Sequence, residues 1–210
     1  MIKPYYEDSA CQIFLGDCRE ILPSLPNVDL TLSDPPYGIG LDYASHDDNR
    51  EDWFPLMLEV MPTAISKSEM TIIPSCGIDR LGWWYANIPP KWIIVWHKGS
   101  PGHLSKIGFN DWESNLVWGK PPKQMHDHFY VRPSEVMGAY GHPCPKPLEW
   151  ATWFMSRASD EGDTVLDMFC GSGTTLRAAK DLNRRAIGIE ICEQYAEIAA
   201  KRLAQEVLAL

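Results

Sequence analysis

An α/β fold, a single Rossmann-like domain with a doubly wound, mostly parallel sheet, is predicted by three observations. Short β-rich runs alternate with amphipathic helical patterns at both ends of the chain. Two of those runs stop at loop-forming clusters, Ser33-Asp34-Pro35-Pro36-Tyr37-Gly38 and Gly171-Ser172-Gly173. The length, 210 residues, suits one domain spanning 1–210 with at most a small insertion.

The elements follow in order. Residues 12–15 (QIFL) read as a strand ending at Gly16-Asp17, residues 18–25 as a short helix, and Val28 to Leu32 as a second strand. Two prolines cannot continue a central strand, so Asp34 sits where that strand gives way to a loop. An acidic stretch over 42–52, taken as facing water, precedes a helical pattern from Trp53 to about Ile65. Residues 70–73 and 93–96 read as further strands. From 97 to 141 periodicity fades into a short loop-rich insertion, with Leu116 to Trp118 its one strand-like run. Pro147 then opens a helix over 147–158, at the first helical position. Strand 165–168, helix 174–182, strand 186–191 and an amphipathic final helix marked by Tyr195, Ala199, Leu203 and Val207 complete the chain.

Composition narrows the class. Apolar residues make up 45% and charged residues 22%, which excludes disorder as the main description. No apolar run reaches the roughly 18–20 residues of a membrane span, and the first residues lack a signal peptide's apolar stretch. Six cysteines without a C-x-x-C pair point to thiols in a reducing compartment, so the expected location is cytoplasmic. His126 and His128 share a short spacing but no third ligand is evident, so no metal is expected.

The loop after residues 165–168 carries chemistry. Glycines between a strand and a helix let the backbone turn tightly and bring a ligand to the helix's free N–H groups. Asp167 precedes the loop, Thr174 and Thr175 follow it, and Glu190 closes the next strand, where an acid suits two ribose hydroxyls of an adenosine-type cofactor. In the earlier loop two prolines fix a carbonyl, Asp34 adds a second acceptor and Tyr37 a flat face. Two acceptors beside an aromatic plane suit an exocyclic amino group on a planar base.

Together the loops resemble the DNA amino-methyltransferases, which move a methyl group from S-adenosylmethionine to N6 of adenine or N4 of cytosine. The family's [DNS]-P-P-[YFW] motif is matched by Asp34-Pro35-Pro36-Tyr37, and its D-x-F-x-G-x-G-T motif by Asp167, Phe169, Gly171, Gly173 and Thr174. Its H-P-x-x-K-P element is matched by His142-Pro143-Cys144-Pro145-Lys146-Pro147. With the catalytic motif first and the cofactor motif last, the order resembles the circularly permuted β group. The resemblance implies that Asp167, Phe169, Gly171, Gly173 and Thr174 line the methionine end of the cofactor. It implies that Glu190 takes the ribose, that Asp17 approaches the adenine amine, and that His142 and Lys146 lie near the methionine carboxylate. Asp34 and the Pro35 carbonyl would grip the target amine, Pro36 would stiffen the loop and Tyr37 would stack on the flipped base.

Net charge is −9, yet it is unevenly spread: residues 1–79 carry −10, residues 80–146 carry +4 and residues 147–210 carry −3. Residues 80–146 also hold five of six histidines and six of nine tryptophans, which makes them the expected DNA side. Full-length relatives usually place a larger target-recognition domain there, so recognition in this chain is expected to be short, shared across a homodimer, or supplied by a separate specificity subunit. Asp as the first motif residue points to N6 of adenine; N4 of cytosine, an RNA or protein amide methyltransferase, and a non-catalytic subunit are the alternatives.

Overall fold

The computed structural model describes residues 2–38, 42–43, 46–47, 50–99, 104–105, 108–132 and 146–205. His142 and Cys144 therefore lie outside the described residues, as does Val207 of the expected final helix. The N-terminal half runs β1 (Tyr6–Glu7), β2 (Cys11–Leu15), α1 (Cys18–Ile21), β3 (Val28–Leu32), the two-residue strands β4 (Asp42–Tyr43) and β5 (His46–Asp47), α2 (Arg50–Lys67) and β6 (Ser68–Pro74). It continues with α3 (Leu81–Asn87), β7 (Trp92–His97), the short pair β8 (Leu104–Ser105) and β9 (Gly108–Phe109), β10 (Trp112–Gly119) and β11 (His128–Tyr130). Then follow α4 (Leu148–Ala158), β12 (Thr164–Asp167), α5 (Thr174–Asp181), β13 (Arg185–Glu190) and α6 (Glu193–Ala204).

Nine strands make one sheet in the order β1-β2-β13-β12-β3-β6-β10-β7-β11. The run from β2 to β6 is wholly parallel, so its strands all end on one side. Only β1 and β10 run antiparallel to their neighbours. Residues 97–141, expected as an insertion, instead supply β10 and β11 to this sheet. β10 is eight residues long and joins β6 to β7, because its alternate side chains find buried partners on both faces.

Side-chain alternation explains the layers. In β13, Ala186 faces α4, α5 and α6, while Ile187 and Ile189 face α1, α2 and α3. Small residues on the first face let α5 pack close: a Cβ on Gly188 would lie 2.7 Å from a Leu176 methyl. On the second face Trp53, Met57, Met61 and Trp84 fill the space under α2 and α3. Two expected boundaries shift. Pro23 removes the N–H that the helix after Cys18 needs, and residues 22–24 tighten into a 3₁₀ turn. Pro147 is extended (φ −60, ψ 144) and caps α4 rather than starting it.

The chain leaves β3 through α2 to β6, away from β12, and leaves β12 through α5 to β13, away from β3. The adjacent carboxyl ends of β3 and β12 thus form a topological switch point, where open α/β sheets leave a crevice. Both chemistry-bearing loops begin there.

Candidate active site

The first loop is pinned from below. Trp53 Nε1 donates to the Pro36 carbonyl at 2.8 Å. Arg80, 2% exposed, lies over the Trp53 ring and donates to the carbonyls of Tyr37, Cys76 (2.9 Å) and Gly38 (3.2 Å). These bonds spend the carbonyls of Pro36, Tyr37 and Gly38 on structure. No described residue donates to the Pro35 carbonyl.

Asp34 Oδ1 is buried and has no hydrogen-bond partner among the described residues, although Lys146 Nζ stands 3.4 Å away. Burial pushes the Asp34 carboxyl up to about 6, against the lowering pull of Lys146. A buried carboxylate oxygen without a donor is costly, and a ligand N–H placed against it relieves that cost.

Lys146 is engaged on several sides. Its ammonium donates to Tyr37 Oη at 2.6 Å and to Glu113 Oε1 at 2.7 Å. The Tyr37 hydroxyl in turn donates to Glu113 Oε1 at 2.8 Å, and Lys98 Nζ pairs with Glu113 Oε2 at 3.0 Å. Burial opposes ionisation of Glu113, yet the two lysines more than offset it and hold its carboxyl down at about 2. Lys146, expected near the cofactor's carboxylate, is thus bonded into the catalytic loop. Glu113 had no motif to announce it.

The second loop begins at Asp167, 3% exposed, whose carboxyl burial pushes up to about 6. Its Oδ1 accepts from Ser33 Oγ at 2.6 Å and from the Phe169 amide at 3.1 Å, while Ser33 Oγ accepts from the Met168 amide at 3.1 Å. Gly171 and Gly173 have φ of +49 and +80, which glycine adopts without the strain a side chain brings. At Gly173 a Cβ would also press Ala199 Cβ at 2.9 Å. Glu190 braces this turn from β13: Oε2 accepts from the Gly171 amide and Oε1 from the Cys192 amide, each at 2.8 Å. Burial raises the Glu190 carboxyl against those bonds. Thr174 Oγ1 accepts from Arg202 at 3.0 Å, which ties α5 to α6 at the loop.

Asp17 lies at this end of the sheet, beside Gly16, whose amide donates to the Glu190 carbonyl at 2.9 Å. Its carboxylate, expected at an adenine amine, caps α1 and accepts from Arg19 on both oxygens. Arg19 is only two residues away in the first helical turn, so the local pair forms readily.

The basic middle segment also reads differently in three dimensions. Arg80 supports the loop, Lys98 and Lys146 bind Glu113, and Lys123 pairs with Asp160 at 2.5 Å. Trp84, Trp96 and Trp118 are buried core, whereas Trp92 is 60% exposed. Arg80, Lys98 and Lys146 are therefore turned inward, while Lys123 lies in an exposed pair.

Asp34, Asp167 and Glu190 surround the crevice with acidic groups that burial disfavours as bare charges. That set of acceptors fits a ligand carrying a sulfonium and an ammonium together with hydroxyls. Among the described residues no group of three or more His, Cys, Asp or Glu side chains is arranged to hold a metal, and no helix is long and apolar enough to cross a membrane.

Fold and crevice together define an α/β group-transfer enzyme core with two loops at one switch point. Residues 96–201 match the N6/N4 family described as DNA methylase. The chain is 26% identical to the type II methyltransferase M.HpaI of Haemophilus parainfluenzae, over 90% of this chain and 74% of that protein. It is 27% identical to the protein YubD of Escherichia coli K12, over 90% of this chain and 88% of that protein. The structure of the cytosine-N4-specific PvuII DNA methyltransferase superposes with a TM-score of 0.75, at 19% identity, covering 99% of this chain and 91% of that one. The M1.HpyAVI–SAM complex superposes at 0.69, with 25% identity and coverage of 93% and 100%. The chain belongs to the N6-adenine/N4-cytosine family of DNA methyltransferases.

Proposed function

We propose that this protein methylates the exocyclic N6 amine of adenine in DNA, with S-adenosylmethionine as methyl donor. The observation that carries this reading is the buried, donor-less Oδ1 of Asp34 beside a Pro35 carbonyl to which no described residue donates. Two adjacent acceptors match the two N–H bonds of a primary aromatic amine.

An exocyclic amine is a poor nucleophile because its lone pair is delocalised into the ring. Asp34 and the Pro35 carbonyl, each accepting one N–H, favour a pyramidal nitrogen and free the lone pair for in-line attack. As the new N–C bond forms and the donor's methyl–sulfur bond breaks to leave a neutral thioether, the nitrogen becomes cationic and releases one proton toward Asp34 Oδ1. The contribution is positioning and electrostatics, with no covalent bond to the enzyme. S-adenosylmethionine, when bound, supplies a methyl group activated by its sulfonium. Asp167, Phe169, Gly171, Gly173 and Thr174 would hold its methionine end, and Glu190 its ribose. Because the target nitrogen is paired in a duplex, the base must leave the stack to reach Asp34, and the Tyr37 ring gives it a surface.

N4 of cytosine is the second reading, since the same two acceptors suit that amine and the PvuII enzyme is cytosine-N4-specific. Asp in place of Ser at the head of the motif favours adenine. Incubation with labelled S-adenosylmethionine and DNA, followed by nucleoside analysis, separates them. The expected label is in N6-methyladenine; label in N4-methylcytosine would replace this reading with the second.

A further inference from the structure

We propose that Lys146 and Glu113 are a matched pair of positioning residues: Lys146 keeps Asp34 an ionised acceptor, Glu113 holds the Lys146 ammonium off it, and both fix Tyr37 by its hydroxyl. The proposal rests on the reading of Asp34 as the amine's acceptor, and it adds residues from two elements outside the catalytic loop.

Glu113 comes from β10 and Lys146 from the segment just before α4, 76 and 109 residues from Tyr37 in sequence. Their side chains are each 11% exposed and bonded at 2.7 Å. Both bind the same phenol oxygen, which accepts from Lys146 and donates to Glu113. A phenol used at both ends has a fixed ring, and Lys146 Nζ also stands 5.0 Å from the Tyr37 ring centroid. A Lys alone 3.4 Å from Asp34 would tend to collapse onto it and occupy the oxygen the amine needs. Glu113 draws that ammonium to itself at the shorter distance, so the cation is near enough to favour the carboxylate and is kept from capping it.

Among the described residues, the charged and titratable groups facing Asp34 are Lys146, Glu113, Tyr37 and Cys76, with Asp167 across the crevice on β12. Behind them, Lys98 pairs with Glu113 and Arg80 lies under the loop. Lys146 lowers the Asp34 carboxyl and Glu113 raises it. The two charges therefore act on Asp34 in opposite senses, which a merely structural role would not do.

The test is the acidic limb of the pH profile of kcat/KM in three full-length variants. Lys146→Gln should move the limb to higher pH by about one unit. Glu113→Gln should move it to lower pH, with a several-fold fall in kcat from the loosened Tyr37. The double variant should return the limb toward the wild-type position. Where a variant turns over too slowly, the Asp34 carboxyl can be titrated by carbon-13 NMR in labelled protein, assigned with Asp34→Asn. That readout needs only a folded chain; Gln is isosteric with Glu113, and Lys146→Met, close to lysine in length, serves where Lys146→Gln does not fold. Shifts in the same direction, or none, overturn the proposal even where Asp34→Ala abolishes methyl transfer. An active Asp34→Ala would instead overturn the reading on which it rests.

Discussion

Ser33 Oγ donates to Asp167 Oδ1 at 2.6 Å, joining the last residue before the catalytic motif to the first residue of the cofactor motif across adjacent parallel strands. The same hydroxyl accepts from the Met168 amide, so one buried side chain fixes the spacing of both loops. Methyl transfer requires donor and acceptor atoms to be aligned, and a misplacement of about 1 Å can cost roughly 100-fold in rate.

Ser33→Ala should therefore act on both loops. Loss of a buried hydrogen bond to a charged group costs about 1.5–3 kcal/mol. Thermal unfolding should shift down accordingly, and calorimetry should report weaker S-adenosylmethionine binding. Unchanged cofactor affinity would remove Ser33 from the alignment.

Asp167 carries a stability cost that serves binding. Its folded-state pKa, about 6, exceeds the ordinary 3.8, so the folded protein holds that proton more tightly than the unfolded chain. The resulting stabilisation is present at low pH and is lost as pH rises through about 6. At pH 8 Asp167→Asn should raise the melting temperature of the cofactor-free protein by a few degrees while greatly weakening S-adenosylmethionine binding. At pH 4 the gain in stability should largely vanish. Glu113 has the opposite sign: its pKa of about 2 lies below 4.5, so its contribution is present above about 4.5 and lost as pH falls through about 2.

How much of this was legible in the sequence depends on range. The loops at Asp34 and Gly171 announce themselves because their chemistry is contiguous, and the parallel sheet follows from local periodicity. Ser33, Arg80 and Glu113 were missed because their partners lie 134, 43 and 76 residues away. Only burial marks Arg80 out, and a sequence does not reveal burial. The pair of Asp17 with Arg19 is local, yet a spacing of two residues does not by itself announce it. The middle segment was read as loops apart from Leu116 to Trp118, because the first half of β10 carries the polar Ser114 and Asn115 in buried positions and so lacks a strand's apolar alternation.

Arg80→Met should disorganise the catalytic loop selectively. It removes the donors to the Tyr37, Cys76 and Gly38 carbonyls and exposes the loop's dependence on Trp53. We expect a loss of about 2–4 kcal/mol in chemical denaturation, within the range for breaking a buried charged network. Methyl transfer should fall more steeply than cofactor binding, because the second loop is braced separately by Glu190.

DNA binding should show a shallow salt dependence. Arg80, Lys98 and Lys146 are engaged within the protein, and the exposed basic residues described in the middle segment are Lys91, Lys120, Arg132 and Lys123, the last already paired with Asp160. With roughly 0.9 counterions released per phosphate neutralised, the slope of log Kobs against log salt should be about −3 or shallower. A slope near −8 measured by fluorescence anisotropy would show a larger phosphate-contacting surface.

The most direct test of the account is Asp34→Ala, assayed for cofactor binding and for methyl transfer to DNA in parallel. Asp34 is an acceptor for the reacting amine and makes no bond that supports the glycine loop, so S-adenosylmethionine affinity should stay within a few-fold of wild type. Methyl transfer should fall by about 100–1,000-fold or more, the range for removing one group that stabilises developing charge. Retained methyl transfer would contradict the assignment of Asp34, and with it the reading of the two loops as a single active site.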